Sequence, residues 1–302
     1  MSKITPKCHF CTECKGTGCI SELPGTGGIR KNINFQLNCS DWDIYPRNEV
    51  SDEELYKLNP PTIRLAPITG GCENVGYAVE EEFYYDIIEA CCRANIALSI
   101  GDGCPDVKLK SGIAAVEKQK TKAAVFIKPY SNKKILERIE WASGVAETVG
   151  IDIDAYNILT MRNLVSLEKK NAELLSEIKQ YVNGVLKVPF ALKGIFTTQD
   201  IELVKALRPD IVAISNHGGR VDNRTGSTID FLAEQHKTLS QYCGEIWIDG
   251  GIRKKRDIFV ASYFGAKQVM IARPLISGYL LRLKHSRLSL YKDSYTVHRF
   301  PR

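Results

Sequence analysis

Lys193, the run Ser215-Asn216-His217-Gly218-Gly219-Arg220, the run Asp249-Gly250-Gly251-Ile252-Arg253 and Arg273 are the residues of this chain best suited to chemistry. Each closes or follows a short apolar run. His217 lies in a polar, glycine-flanked loop with Arg220 close behind it, as suits a general base beside an anion-binding arginine. Gly250 and Gly251 let backbone N–H groups approach an anion with no Cβ in the way. Arg253 and Arg273 add charge and forked donors. Together these residues predict a phosphate site. Asp152 and Asp154 close another apolar run, and Lys128 and Tyr130 follow a third. A carboxylate such as Asp154 facing His217 would fix the ring and favour its imidazolium form.

These residues lie far apart in sequence, so the elements between them must bring them together. Eight apolar runs predict strands at 63–68, 96–100, 123–128, 149–153, 189–193, 211–215, 246–249 and 268–271. Helical patterns fall between them at 80–94, 132–147, 168–183, 198–207, 228–242 and 254–264. Strands alternating with helices predict a parallel sheet with crossover helices. Eight such units favour a closed (β/α)₈ barrel, which has no exposed sheet edge. No G-x-G-x-x-G follows the first strand, which argues against an open dinucleotide-binding sheet. In such a barrel the named residues all fall at the C-terminal ends of strands, where the chemistry of the fold sits. The loops after strands seven and eight are its common phosphate site.

The chain has 302 residues, which suits one barrel of about 250 residues with an extra segment. The reading divides it into a Cys-rich segment, 1–45, and a barrel, 46–302. The hydrophobic fraction of 44% is enough for a large core. The net charge of +6 comes with a basic C-terminal stretch but no recognisable nucleic-acid module, so no nucleic-acid partner is expected. No stretch reaches the roughly 18 apolar residues of a membrane span. Residues 1–30 carry no apolar leader, and the expected location is the cytoplasm.

Cys8, Cys11, Cys14 and Cys19 are spaced C-x₂-C-x₂-C-x₄-C, with Cys39 as a further candidate ligand. Thiolates so spaced suit zinc or an iron–sulfur cluster, although the run differs from the ferredoxin pattern. Reduced or redox-active thiols are the other reading. Cys72 and Cys104 follow strands one and two and are expected to be inert.

The segments VPFALKG (188–194), IVAISNHGGR (211–220), EIWIDGGIRKKRDIFVASYFGA (245–266) and MIARP (270–274) resemble the FMN-dependent α-hydroxy-acid dehydrogenases and oxidases. The resemblance is carried by residues 185–276, extends more loosely over 60–155, and has no counterpart before residue 40. It implies FMN as cofactor and oxidation of a small α-hydroxy acid. His217 would be the base, taking the hydroxyl or the α-carbon proton, with Asp154 as its partner. Arg220 would hold the substrate carboxylate and Tyr130 its oxygen. Lys193 would sit at the flavin N1–C2=O edge. Pro67, Ile68 and Thr69 would run under the ring, with Ser99, Lys128, Asp152 and Ser215 nearby. Asp249, Gly250, Gly251, Arg253, Ala272 and Arg273 would bind the ribityl chain and phosphate.

The sequence departs from the family pattern at several points. Lys128 stands where Gln is usual, Asp152 where Thr is usual, and Ala272 where Gly is usual. Arg162 matches the second substrate arginine one step out of register. An ion pair between Lys128 and Asp152 is expected at the pyrimidine edge. The expected partners are a small anionic carboxylate and an electron acceptor that the residues do not name, with self-association left open. Two alternatives remain: another FMN barrel, such as a type 2 isopentenyl-diphosphate isomerase, or a non-catalytic flavin electron-transfer protein.

Overall fold

The computed structural model describes residues 4, 32–46, 50–158, 164–221 and 223–288, the last eight by their backbone alone. Eight parallel strands form one sheet: β1 (Thr62–Leu65), β2 (Ser99–Gly101), β3 (Ala123–Ile127), β4 (Ala146–Asp152), β5 (Phe190–Ile195), β6 (Ile211–Ile214), β7 (Glu245–Asp249) and β8 (Gln268–Ile271). Neighbours run in sequence order from β2 to β8, and β1 pairs with β8. A single parallel bridge, Arg64 to Ala97, links β1 to the chain entering β2 and closes the ring. All eight predicted strands are present. This is the (β/α)₈ barrel expected from the alternating pattern.

The helices are α1 (Ile33–Ser40), α2 (Asp52–Leu55), α3 (Glu80–Arg93), α4 (Val107–Lys118), α5 (Asn132–Ala142), α6 (Ala172–Tyr181), α7 (Thr198–Leu207), α8 (Thr228–Leu239), α9 (Lys255–Tyr263) and α10 (Arg273–Leu288). Several of them start at side-chain caps. Thr197 and Asp200 form a reciprocal capping box at α7, and the Ser227 hydroxyl accepts from Asp230 N at α8. The sequence reading did not include α1 or α4. Val107–Lys118 buries Leu109, Ile113 and Val116 on one face, a helical spacing.

The barrel interior is filled by Ala66, Ala124, Phe126, Ala191, Ala213, Trp247 and Met270. Buried Arg64 lies beneath them, its Nε donating to Gln268 Oε1 at 2.6 Å and its guanidinium 4.8 Å from the Trp247 ring centre. Glu147 neutralises it at 2.8 Å. Arg64, Gln268 and Glu147 thus fill the end of the barrel where the strands begin. Residues 32–45 pack on the opposite, C-terminal end: Asn34, Phe35, Asn38, Trp42 and Tyr45 are all buried. Trp42 Nε1 donates to Gly250 O at 2.9 Å.

Candidate active site

Strand pairing sets the centre of the site. Asp152 closes β4 directly opposite Lys193 on β5. Lys193 Nζ lies 2.9 Å from Asp152 Oδ1, 3.1 Å from Ser215 Oγ and 3.7 Å from Asp249 Oδ2. The Ser215 hydroxyl donates to Asp249 Oδ2 at 2.9 Å and accepts from His217 N at 3.1 Å. One buried ammonium thus ties together the ends of β4, β5, β6 and β7. Lys128, at the end of β3, reaches Asp152 Oδ2 at 3.9 Å. The expected Lys128–Asp152 pair is present but long, and Lys193 is the closer partner.

His217 faces the two aspartates. Its Nδ1 is 3.2 Å from Asp154 Oδ1 and 3.7 Å from Asp152 Oδ2. Room for Asp154 comes from Gly194, at φ +98°, where a Cβ would stand 2.6 Å from Asp154 Cβ. His217 itself has φ +55° and is followed by Gly218 at +68° and Gly219 at +87°. Three left-handed residues in succession are unusual, and the non-glycine one costs about 1–2 kcal/mol. The surrounding contacts must hold it.

Charge in this cluster is divided unequally. Burial alone would raise Asp152, but the Lys193 ammonium, aided by the His217 and Lys128 sides, holds it well below the usual carboxylate range. Asp154 moves the opposite way: burial and the Asp152 charge push it well above that range. Asp249 is likewise raised by burial, against the pull of Lys193. Burial would lower Lys193, yet Asp152, Asp154 and Asp249 hold its proton more firmly than usual. His217 is pulled down to about 3, by burial first and then by Lys193, Lys128 and Arg220, against the Asp152 charge. At neutral pH the imidazole is neutral, beside an ionised Asp152 and an Asp154 that holds its proton more readily than an ordinary carboxyl. The sequence reading expected Asp154 to favour imidazolium; burial and the neighbouring cations reverse that balance.

The rest of the predicted set falls around this centre. Arg220 is shifted down by burial and feels Asp154 and Asp152 as its counter-charges. Tyr130 is 1% exposed, and its ring sits between Lys134 Nζ at 4.2 Å and Arg138 Cζ at 4.8 Å. Pro67 O lies close against Gly101, so the 67–69 loop crosses the end of β2. Ile68 packs on the barrel interior, as does Ala272. Arg253 caps its own loop through NH1 to Ile252 O at 2.9 Å. Arg273 places its guanidinium 4.3 Å from the Phe35 ring centre. Arg162 and Cys8, Cys11, Cys14 and Cys19 lie outside the described residues.

Gly250 and Gly251 also serve packing. A Cβ on Gly251 would stand 1.5 Å from Asn38 O, and one on Gly250 would stand 2.6 Å from Thr228 Oγ1. Their missing side chains make room for α1 and α8. Sequence reasoning also missed a buried pair behind Tyr130: Arg138 is 3.1 Å from Asp102 and also bonds Asp106. Its trace in the sequence was an arginine on the apolar face of α5. The trace of α1 was three asparagines, 32, 34 and 38, which are poor helix-interior residues unless they bond elsewhere.

Does this set fit a flavin? Among the described residues, the buried Ser99 hydroxyl, Asp249 Oδ1, Asp154 Oδ2 and the Tyr130 hydroxyl have no hydrogen-bond partner. Such orphans are costly unless a ligand satisfies them. Asp249 and Asp154 lie beside the buried Lys193 ammonium, and Lys128 is buried at the end of β3. That donor and acceptor pattern suits the polar edge of a flavin, with Arg273 and Arg253 beyond it for a phosphate.

The family model described as FMN-dependent dehydrogenase matches residues 115–283, more than half of the chain. The chain belongs to this family. Human (Homo sapiens) 2-hydroxyacid oxidase 2 is 28% identical over 177 residues, which cover 51% of this chain and 50% of that protein. L-lactate dehydrogenase (cytochrome) from Saccharomyces cerevisiae is 29% identical over 184 residues, 60% of this chain and 26% of that one. The chain thus spans about half the length of the curated relatives it matches, or less. Among solved structures, the flavin-binding domain of baker's yeast flavocytochrome b2 superposes with a TM-score of 0.64 at 17% identity, over 91% of this chain and 77% of that one. Mandelate oxidase gives 0.61 at 20% identity, over 82% and 78%. These likenesses establish a shared barrel fold. No described helix is long and apolar enough to cross a membrane.

Proposed function

We propose that the chain binds FMN and oxidises a small 2-hydroxy acid, with His217 as the base. The observation that carries this reading is the 3.2 Å contact between His217 Nδ1 and Asp154: with Nδ1–H donating to that carboxyl, Nε2 is the proton acceptor. Bound FMN would supply the two-electron acceptor. Lys193 and Lys128 would hold its pyrimidine edge, and Arg253 and Arg273 its phosphate. Arg220 pairs the substrate carboxylate and so places the hydroxyl-bearing carbon near the imidazole. The Tyr130 hydroxyl, buried and without a partner among the described residues, donates to the substrate oxygen. His217 Nε2 takes one proton, and the new imidazolium faces Asp152 and Asp154. Asp152 is already ionised, so a negative charge stands ready 3.7 Å away.

Anaerobic mixing with a panel of 2-hydroxy acids tests the reading: one of them should bleach the bound flavin. In His217→Ala the flavin should remain bound while substrate-driven reduction slows by roughly 10²–10⁴-fold. A flavin that no 2-hydroxy acid reduces, but that supports diphosphate isomerisation when reduced, would favour the isomerase alternative. Normal reduction in His217→Ala would exclude the assigned base.

The cysteine run enters the same proposal as a separate centre. Cys8, Cys11, Cys14 and Cys19 hold zinc or an iron–sulfur cluster, on the strength of their spacing alone. The family match begins at residue 115 and does not bear on them. Protein prepared without oxygen or chelators should carry near-stoichiometric metal, lost when Cys11 and Cys14 become Ser.

A further inference from the structure

Helix α1 is fastened to the His217 loop by side-chain amides. Asn32 Nδ2 donates to Gly219 O at 2.7 Å, while its Oδ1 caps α1 through Phe35 N. Asn34 Nδ2 donates to Val221 O and Arg224 O, each at 2.8 Å, and its Oδ1 accepts from Gly226 N. Asn38 and Asn216 bond reciprocally, at 2.7 and 3.1 Å. Asn38 Oδ1 also accepts from Thr228 N, and Asn216 Oδ1 from Gly219 N. Both carboxamides are buried.

The geometry falls on the residue that matters most. Asn216 immediately precedes His217, and its carboxamide oxygen closes the turn over the left-handed residues 217–219. Gly219 also abuts the backbone of Phe35, where a Cβ would stand 2.5 Å from Phe35 N. A turn of this kind persists only if its surroundings over-determine it. The fastening comes from α1, about 180 residues away in the chain.

We propose that Asn38 is a positioning residue for His217: its reciprocal bonds with Asn216 lock the left-handed turn that aims Nδ1 at Asp154. This rests on the reading of His217 as the base. The reciprocal pair needs a donor and an acceptor on each side. Aspartate at 38 keeps the acceptor for Thr228 N but sets a carboxylate against Asn216 Oδ1. Serine at 38 keeps a small polar group and removes the reciprocity.

The test uses the FMN-loaded chain with Asn38→Ala, Asn38→Ser, Asn38→Asp and the double variant Asn38→Ala/Asn216→Ala. Two readouts are taken: flavin reduction by a 2-hydroxy acid, and titration of the His217 ring by NMR with ¹⁵N-labelled histidine. The expected result is retained flavin and a fall in kcat of about 10- to 100-fold with KM changed much less, the pattern of an interaction lost in the transition state. The His217 titration should move up toward its ordinary range as the ring leaves the site. The double variant should be no worse than Asn38→Ala, because both remove one linkage. Unchanged kcat and an unchanged His217 titration in folded Asn38→Ala, or in Asn38→Ser if the alanine variant does not fold, would overturn the proposal. Losses that multiply in the double variant, or loss of FMN in place of kcat, would also overturn it. If no 2-hydroxy acid reduces the wild-type flavin, the functional reading fails, and the His217 titration alone decides the positioning role.

Discussion

Asp152 and Lys193 meet across β4 and β5 at 2.9 Å, both buried. Lys128 stands at the far oxygen of the same carboxylate, 3.9 Å away. In Lys128→Gln, therefore, Asp152 keeps its main partner, and the variant should fold and bind FMN. Losing one nearby positive charge disfavours a reduced, anionic ring. The flavin reduction potential should fall by some tens of millivolts, and by more in Lys193→Gln. Potentiometric titration measures both. An unchanged potential in Lys128→Gln would show that this lysine does not tune the flavin.

Arg273 begins α10 and is braced over the Phe35 ring. If it binds the FMN phosphate, Arg273→Ala removes a charge-assisted bond of about 1.5–3 kcal/mol. FMN affinity should then fall roughly 10- to 100-fold, read by recovery of free-flavin fluorescence on dilution. Phe35→Leu, which removes only the ring beneath the guanidinium, should weaken binding less.

His217, held down to about 3, is neutral at every pH where the protein is expected to work. A base is active when unprotonated, so the acid limb of kcat/KM should lie far below the ordinary histidine value of about 6.5. The rate should hold as pH falls from about 7 to about 5. The stability sign follows from the same shift. The unfolded chain binds this proton near 6.5 and the folded chain only near 3, so this group's contribution falls as pH drops below about 6.5. A limb in kcat/KM near 6.5 would contradict the arrangement.

Gly251→Ala tests how α1 sits on the barrel. The new Cβ would collide with Asn38 O at 1.5 Å, at a φ of +76° that alanine adopts poorly. Left-handed backbone and overpacking together should cost about 2–5 kcal/mol. Thermal unfolding should show a Tm lower by more than about 5 °C. A Tm within a degree or so of the parent would mean that α1 does not pack there in solution.

The sequence by itself determined the barrel and the membership of its mouth. Strand-length apolar runs separated by amphipathic stretches admit few topologies, so all eight strands and their order were legible. Because side chains at the C-terminal strand ends share one mouth, His217, Asp154, Lys193, Asp249 and Arg273 were legible as neighbours before any distance was known. What the sequence left open depends on contacts between residues far apart in the chain. Only the folded protein shows that Lys193 and not Lys128 is the close partner of Asp152, because strand register decides which ends align. Only the folded protein brings α1 onto the loop after β6, and it thereby gives Gly251 a packing role that a glycine pair in sequence cannot reveal. The protonation of the centre is tertiary as well. A histidine beside an aspartate reads as an ion pair in sequence, yet burial and two lysines from other strands make the imidazole neutral, while burial and the Asp152 charge push Asp154 upward. Burial and long-range charge are sums over the whole fold, and no local pattern of residues encodes them.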